Sequence, residues 1–277
     1  MTTATKQIVL CADDFGQDLT ISQGIADLLT QGLLSATSCM TTTSAWPESA
    51  RLLKPLIGQV DIGLHLNLTE GDAIDHVPTV TRHVSFPKLS ILLAKAYCDW
   101  LSVDAILREF RRQLENFRTV MGRLPDFIDG HQHVHHFPIV RDALRVLYQT
   151  DLQGHACYVR SVWSDVGEKS WKSRMIRRSG AKALAKQLQR DAMPHNASFA
   201  GIYDFSADPK VYPQKMATWL TNMTDQGLLM CHPALPDPEH VDVIAAARAV
   251  EYQYLASDAF AQLLTEQQVE LARFSLG

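Results

Sequence analysis

Two adjacent carboxylates, Asp13 and Asp14, stand at the end of an apolar run, Ile8-Val9-Leu10-Cys11-Ala12, and are followed by Phe15 and Gly16. The run predicts a buried strand, and the glycine lets the backbone turn. Two charges at a buried strand end repel and are costly to desolvate unless something compensates them. A divalent cation is the simplest compensation. Three later stretches offer further ligands: Gly63-Leu64-His65-Leu66-Asn67, Asp129-Gly130-His131-Gln132-His133 and Cys231-His232-Pro233. Each again puts polar groups at the end of an apolar run.

Adjacent residues of an extended chain point in different directions, so Asp13 and Asp14 are expected to do different jobs. One binds the metal; the other faces the attacking water. In Asp129 to His136 alternate positions share a face, so Asp129, His131 and His133 can look inward while the strand lasts. His131 is the first choice of ligand and His133 the second. His135 and His136, close to Phe137-Pro138 where the chain leaves the strand, are expected in an outer shell or at the surface. One carboxylate and two imidazoles leave coordination positions open, the pattern of a catalytic site and not of a closed structural one. A metal there lowers the pKa of water and polarises a carbonyl. A nearby Asp can take the water proton, and a His on the far side can protonate a leaving amine. These are the parts needed to hydrolyse an amide.

The elements that must position these groups alternate along the chain. Strands are expected at about 7–12, 35–42, 60–66, 127–131, 157–160, 199–205, 228–231 and 269–274. Helices are expected at about 20–31, 47–54 with Pro47 at its first position, 89–100, 102–121 capped by Ser102 and ended by Gly122, 138–149, 212–226, 243–254 and after Ser257. Alternation of this kind implies a parallel sheet covered by helices. Seven or eight repeats fit a (β/α) barrel related to the TIM barrel, complete or incomplete, in which Asp13, Asp14, His65, His131 and His232 share the C-terminal mouth. A doubly wound open sheet is the alternative, weakened by the lack of G-x-G-x-x-G or P-loop motifs.

Two excursions leave this pattern. Residues 69–100, with Pro78 and Pro87, read as a long loop and helix, either a substrate-facing lid or a structural detour. Residues 163–195 carry Lys169, Lys172, Arg174, Arg177, Arg178, Lys182, Lys186 and Arg190. Such a run can touch phosphate, lipid or RNA, but more often it is a solvated face or subunit contact. No low-complexity linker appears, so residues 1–277 are read as one domain.

Composition excludes several classes. The chain has 277 residues, 46% apolar and 20% charged, with net charge -4, which suits a globular protein and argues against general nucleic-acid binding. No run is long enough to span a membrane, and the N-terminus leads straight into the first strand without a signal peptide. Five scattered cysteines without a C-x-x-C pair read as reduced, buried thiols of a cytoplasmic protein. Oligomeric state is not readable; a homodimer is one option.

The motifs Ala12-Asp13-Asp14-Phe15-Gly16, Gly63-Leu64-His65-Leu66-Asn67-Leu68-Thr69-Glu70-Gly71, Asp129-Gly130-His131-Gln132-His133-Val134-His135 and Cys231-His232-Pro233 resemble, in order, those of the YdjC-like carbohydrate deacetylases. This is the family of chitooligosaccharide (diacetylchitobiose) deacetylases, with a branch tied to hopanoid lipid synthesis. Tyr158-Val159-Arg160 and Arg248-Ala249-Val250-Glu251 are smaller echoes. The resemblance implies a barrel-like deacetylase fold, a divalent metal and removal of acetyl groups from N-acetylated amino sugars. Carried over by motif, Asp13 would be the general base, and Asp14, His65 and His131 would hold the metal. His232 would be the acid or stabilise the oxyanion, and Arg160 would orient Asp13 or bind substrate. The family is usually described with Mg2+, whereas two imidazoles favour Zn2+ or another transition metal; both stay open. The chain departs from the family at Gly130, often Ser, and at Ala234, often Gly. A glycosidase using the Asp13/Asp14 pair is a weaker reading, because adjacent carboxylates sit awkwardly for flanking a glycosidic bond. A sugar- or lipid-binding relative without catalysis is the other.

Overall fold

The computed structural model describes residues 5–75, 77–167, 170–237 and 242–274. Its central strand, β1 (Lys6–Phe15), is buried from Ile8 onward. It runs three residues past the expected end, so both carboxylates belong to the strand. Parallel neighbours flank it: β2 (Ala36–Cys39), β3 (Asp61–Leu66), β4 (Phe127–Gly130) and β5 (Tyr158–Val159) follow on one side, β7 (Gly227–Cys231) and β6 (Phe199–Ala200) on the other. β8 (Val269–Leu271) pairs with the first residues of β1. Every pairing of named strands among the described residues is parallel, and buried parallel strands are read as near-continuous apolar runs. Between the outer strands β5 and β6, single bridges Val159↔His195 and Asp165↔Phe199 carry the sheet around. The fold is therefore the incomplete (β/α) barrel that the alternation implies.

The helices form where the chain signals them. α1 (Leu19–Thr30) starts at Asp18, whose carboxylate accepts from the Ile21 N–H, and buries Ile21, Ile25, Leu28 and Leu29. α4 (Val103–Met121) begins at the Ser102 cap and stops at Gly122, which takes a left-handed φ of 73° that glycine adopts without strain. Between them, α2 (Trp46–Leu53) starts one residue before Pro47, so the proline is second and not first. The first excursion contains α3 (Leu89–Tyr97). α5 (Val140–Asp151), α8 (Val211–Asn222), α9 (Ala245–Leu255) and α10 (Asp258–Glu266) complete the cover, with α6 (Trp171–Ile176) and α7 (Lys182–Arg190) in the second excursion.

Several expectations are corrected. The expected strand 199–205 is only Phe199–Ala200, because Gly201 bends away at φ 115° with its α-carbon against the Met230 backbone. The expected strand 157–160 shortens to Tyr158–Val159, since the chain beyond pairs with 194–196. Of the two options for His135 and His136, an outer shell or the surface, the surface is excluded: both are fully buried, His136 under Ser179 and Gly180 and His135 against the Arg160 carbonyl. Cys98 is exposed; Cys11, Cys39, Cys157 and Cys231 are buried as expected. Part of the basic run turns inward: Lys172 lies 4.1 Å over the Phe205 ring, and Arg177 and Lys182 lie over Trp163. Lys169 falls outside the described residues.

Candidate active site

The two carboxylates separate because Asp14 adopts a left-handed φ of 68° and the β1–β2 register shifts between Ala12 and Phe15. Each meets its own arginine. Arg160, just past β5, grips Asp13 with two prongs, Nη1 to Oδ2 and Nη2 to Oδ1, both 2.6 Å. Its Nη2 also lies 2.6 Å from Asp129 Oδ2. Arg248 of α9 donates from Nη2 to Asp14 Oδ2 at 2.7 Å.

The opposite oxygen of Asp14 faces two imidazoles. His131 Nδ1 donates to Oδ1 at 2.9 Å, and His65 Nε2 stands 3.5 Å away. Pairing of β3 with β4 sets His65 directly beside Asp129. That register lets His65 Nδ1 donate to Asp129 Oδ1 at 2.6 Å, where Ser38 Oγ also donates. His131 Nε2 donates to Glu70 Oε2 at 2.9 Å, and Gln17 Nε2 holds the other Glu70 oxygen.

Burial disfavours charge on these groups, and their partners outweigh it. The Asp129 carboxylate pushes His65 up to about 10 despite burial. Asp14 likewise raises His131. Arg248 and His131 hold Asp14 well below the usual carboxylate range against the burial that would raise it. The site is thus a nest of carboxylates that demands positive charge.

A divalent cation fits that demand. One ligand atom each from Asp14, His65 and His131 lie within 4.8 Å of one another, all from buried side chains. The donor set is one carboxylate oxygen and two imidazole nitrogens, and Asp129 braces His65 through its other nitrogen, the outer-sphere pairing typical of metal-binding histidines. His133, the second-choice ligand, is not in this group. After β4 the chain tightens into a 3-10 turn over His131–His136, with Gln132 and His133 in left-handed conformation. This carries His133 to the wall of the cavity, where its Nδ1 is buried without a partner. Gly130 packs tightly here: an added Cβ would meet the His135 backbone and ring at 3.0 Å, so a serine at this position would press on that ring.

The cavity above the carboxylates measures about 490 Å3, within the range of small-molecule sites. Asp13, Asp14, His65, His131 and His232 form its polar floor, and His133 joins Leu89, Met175, Ile176, Ile202, Phe205 and Ile244 in its walls. Both excursions contribute, through Leu89 and through Lys172, Met175 and Ile176. His232 comes from the end of β7, its Nε2 4.0 Å from Asp13 Oδ2. Burial lowers His232 to about 4, so its ring is neutral near pH 7. Glu251 of α9 accepts from the His232 backbone N–H and from the Tyr203 hydroxyl, both at 2.5 Å, and burial pushes this acid up to about 7.

All six residues nominated from sequence, Asp13, Asp14, His65, His131, Arg160 and His232, meet at this one mouth. Sequence reasoning gave no role to Ser38, Glu70, Arg248 or Glu251. The last two carried a readable signal: with Ala247 and Leu255 they fall on the buried stripe of α9, where unpaired charge is not tolerated.

A buried Asp/His cluster that could hold a metal ion, at the C-terminal mouth of an incomplete (β/α) barrel, defines the class. A family model described as YdjC-like protein matches residues 7–266, and the chain belongs to that family. A chitooligosaccharide deacetylase of Serratia marcescens is 28% identical over 233 residues, covering 84% of this chain and 83% of that protein. One from Salmonella paratyphi B is 31% identical over 133 residues, 48% of this chain and 52% of its own. Among solved structures, a putative cellobiose-phosphate cleavage protein of Enterococcus faecalis superposes with TM-score 0.76 at 20% identity over 98% of both chains, a likeness of fold. Among the described residues, no helix is long and apolar enough to cross a membrane.

Proposed function

We propose that this chain, acting as a single deacetylase domain, is a metal-dependent hydrolase. It removes N-acetyl groups from acetylated amino sugars or short chito-oligosaccharides. The observation that carries the reading is the convergence of Asp14, His65 and His131 within 4.8 Å beside an arginine-held Asp13. The names of the relatives supply the substrate class.

Asp14, His65 and His131 would hold the cation, which supplies a Lewis acid for the amide carbonyl and a more acidic water. Asp13 takes a proton from the attacking water. Arg160 covers both Asp13 oxygens from one side and so fixes the carboxylate plane while the outward lone pairs stay available. The carbonyl carbon becomes tetrahedral, and a hydrogen bond from His232 stabilises its oxygen. A neutral His232 suits this donor role better than that of a standing acid. Asp13 then returns its proton to the nitrogen, the C–N bond breaks, and acetate and a free amine leave. The glycosidase alternative needs two carboxyls flanking the scissile bond, roughly 5–9.5 Å apart, whereas Asp13 and Asp14 are adjacent in the chain and each is engaged by its own arginine.

The direct test is acetate release from a panel of N-acetylated sugars, with and without chelator, and after adding back Zn2+ or Mg2+. Reducing ends released in place of acetate would overturn the reading.

A further inference from the structure

We propose that Arg248 is a positioning residue that makes Asp14 a one-oxygen ligand, its guanidinium occupying Oδ2 and turning Oδ1 toward His65 and His131. The inference rests on the reading of those three residues as cation ligands. Two neighbouring carboxylates each have a dedicated arginine, but they are gripped differently. Arg160 spans both oxygens of Asp13, whereas Arg248 touches Asp14 through Oδ2. Its fork is fixed from behind. Nε donates to Asp242, Nη2 also donates to Gln17 Oε1 at 3.1 Å, and Nη1 points at the His232 carbonyl at 3.5 Å. A guanidinium tied at its far end cannot swing across to Oδ1. The guanidinium charge held against Oδ2 disfavours a cation at that oxygen, so Asp14 offers Oδ1, which the two imidazoles already face. Glu251, three residues on along α9, holds the His232 backbone N–H, so one face of one helix sets both the cation ligand and the opposite rim of the cavity.

Charge and position predict opposite signs here. An arginine beside a cation site repels the cation, so a purely electrostatic Arg248 would weaken binding and its removal would tighten it. A positioning Arg248 has the reverse signature. The test is calorimetric titration of the full, chelator-stripped chain with Zn2+ and with Mg2+, for wild type, Arg248→Met and Arg248→Lys, with the thermal transition of each recorded. Met removes the charge; Lys keeps it without the fork. Both are expected to weaken binding by about tenfold or more, as for other outer-sphere partners of metal ligands. Wild-type binding with unchanged or tighter binding in natively folded Arg248→Met overturns the inference alone. A wild type that binds neither ion removes the ligand reading and the inference with it. Should neither variant fold, Gln17→Ala loosens the same fork from outside and is expected to weaken binding about two- to tenfold, the scale of one hydrogen bond; unchanged affinity there overturns the inference too.

Discussion

Asp13→Asn separates the base from the metal site. The amide has the shape of the carboxylate, so the substitution changes charge and hydrogen bonding while leaving the packing as it is. It keeps one acceptor for Arg160 and turns the other contact into two donors facing each other. Arg160 is left with Asp129 at 2.6 Å, so its charge stays paired. The stability cost is that of one buried donor without an acceptor, about 1–3 kcal/mol, which a fold of ordinary stability, about 5–15 kcal/mol, survives. Asp14 keeps Arg248 at 2.7 Å and His131 at 2.9 Å, so metal binding is expected to persist. Loss of a general base costs roughly a hundredfold to ten-thousandfold in rate, which is about 3–5 kcal/mol of barrier. Acetate release, metal content and melting temperature measured on one preparation decide the matter. Full activity would refute Asp13 as base. Loss of metal along with activity would instead make Asp13 a ligand and refute the division of labour between the two carboxylates.

Four further outcomes are expected. Chelation abolishes acetate release, and a single divalent metal restores it; activity that survives complete metal removal contradicts the site. His131→Ala loses bound metal while His133→Ala retains it, by elemental analysis; the reverse would mean that the turn after β4 presents the other imidazole. Glu251, pushed up to about 7 from its ordinary 4.5 by burial, binds its proton more tightly folded than unfolded. Its contribution is therefore present below pH ~4.5 and lost as pH rises through about 7, on the order of 3 kcal/mol at ~1.4 kcal/mol per tenfold change in proton affinity; Glu251→Gln should flatten the melting temperature between about pH 5 and 8. An added Cβ at Gly63 would meet three Phe127 ring atoms at 2.4–2.5 Å, so Gly63→Ala should cost roughly 1–3 kcal/mol through overpacking, read as a lowered denaturant midpoint.

Much of this was legible because strand ends announce themselves. A buried run that stops on acids or histidines marks both the strand and the mouth of the barrel, which is why the positions of Asp13, His65, His131 and His232 could be read without coordinates. What was not legible depends on backbone twist and long-range closure. Nothing local says that Asp14 takes a left-handed φ, or that Gly201 ends β6 after two residues. The alternation argument placed His133 inward beside His131 by strand geometry, but the strand ends at Gly130 and a 3-10 turn decides between them. The burial of His136 was not legible because the segment that covers it, around Ser179 and Gly180, lies more than forty residues later in the chain.

Asp129 shows why the site works as a unit. It was expected to look inward, without a role of its own. In the fold its Oδ1 fixes the His65 tautomer, leaving Nε2 for a cation, and its Oδ2 shares Arg160 with Asp13. One buried carboxylate therefore contacts both the proposed ligand His65, its register partner on β3, and the arginine that holds the proposed base Asp13. Asp129 Oδ1 accepts hydrogen bonds from His65 and Ser38, while its Oδ2 is ion-paired with Arg160. In the alternative grouping of Asp13, His65 and Asp129, equally close in space, the two carboxylates already share the Arg160 guanidinium. That positive charge disfavours a second cation beside them, which is why the proposal rests on Asp14, His65 and His131.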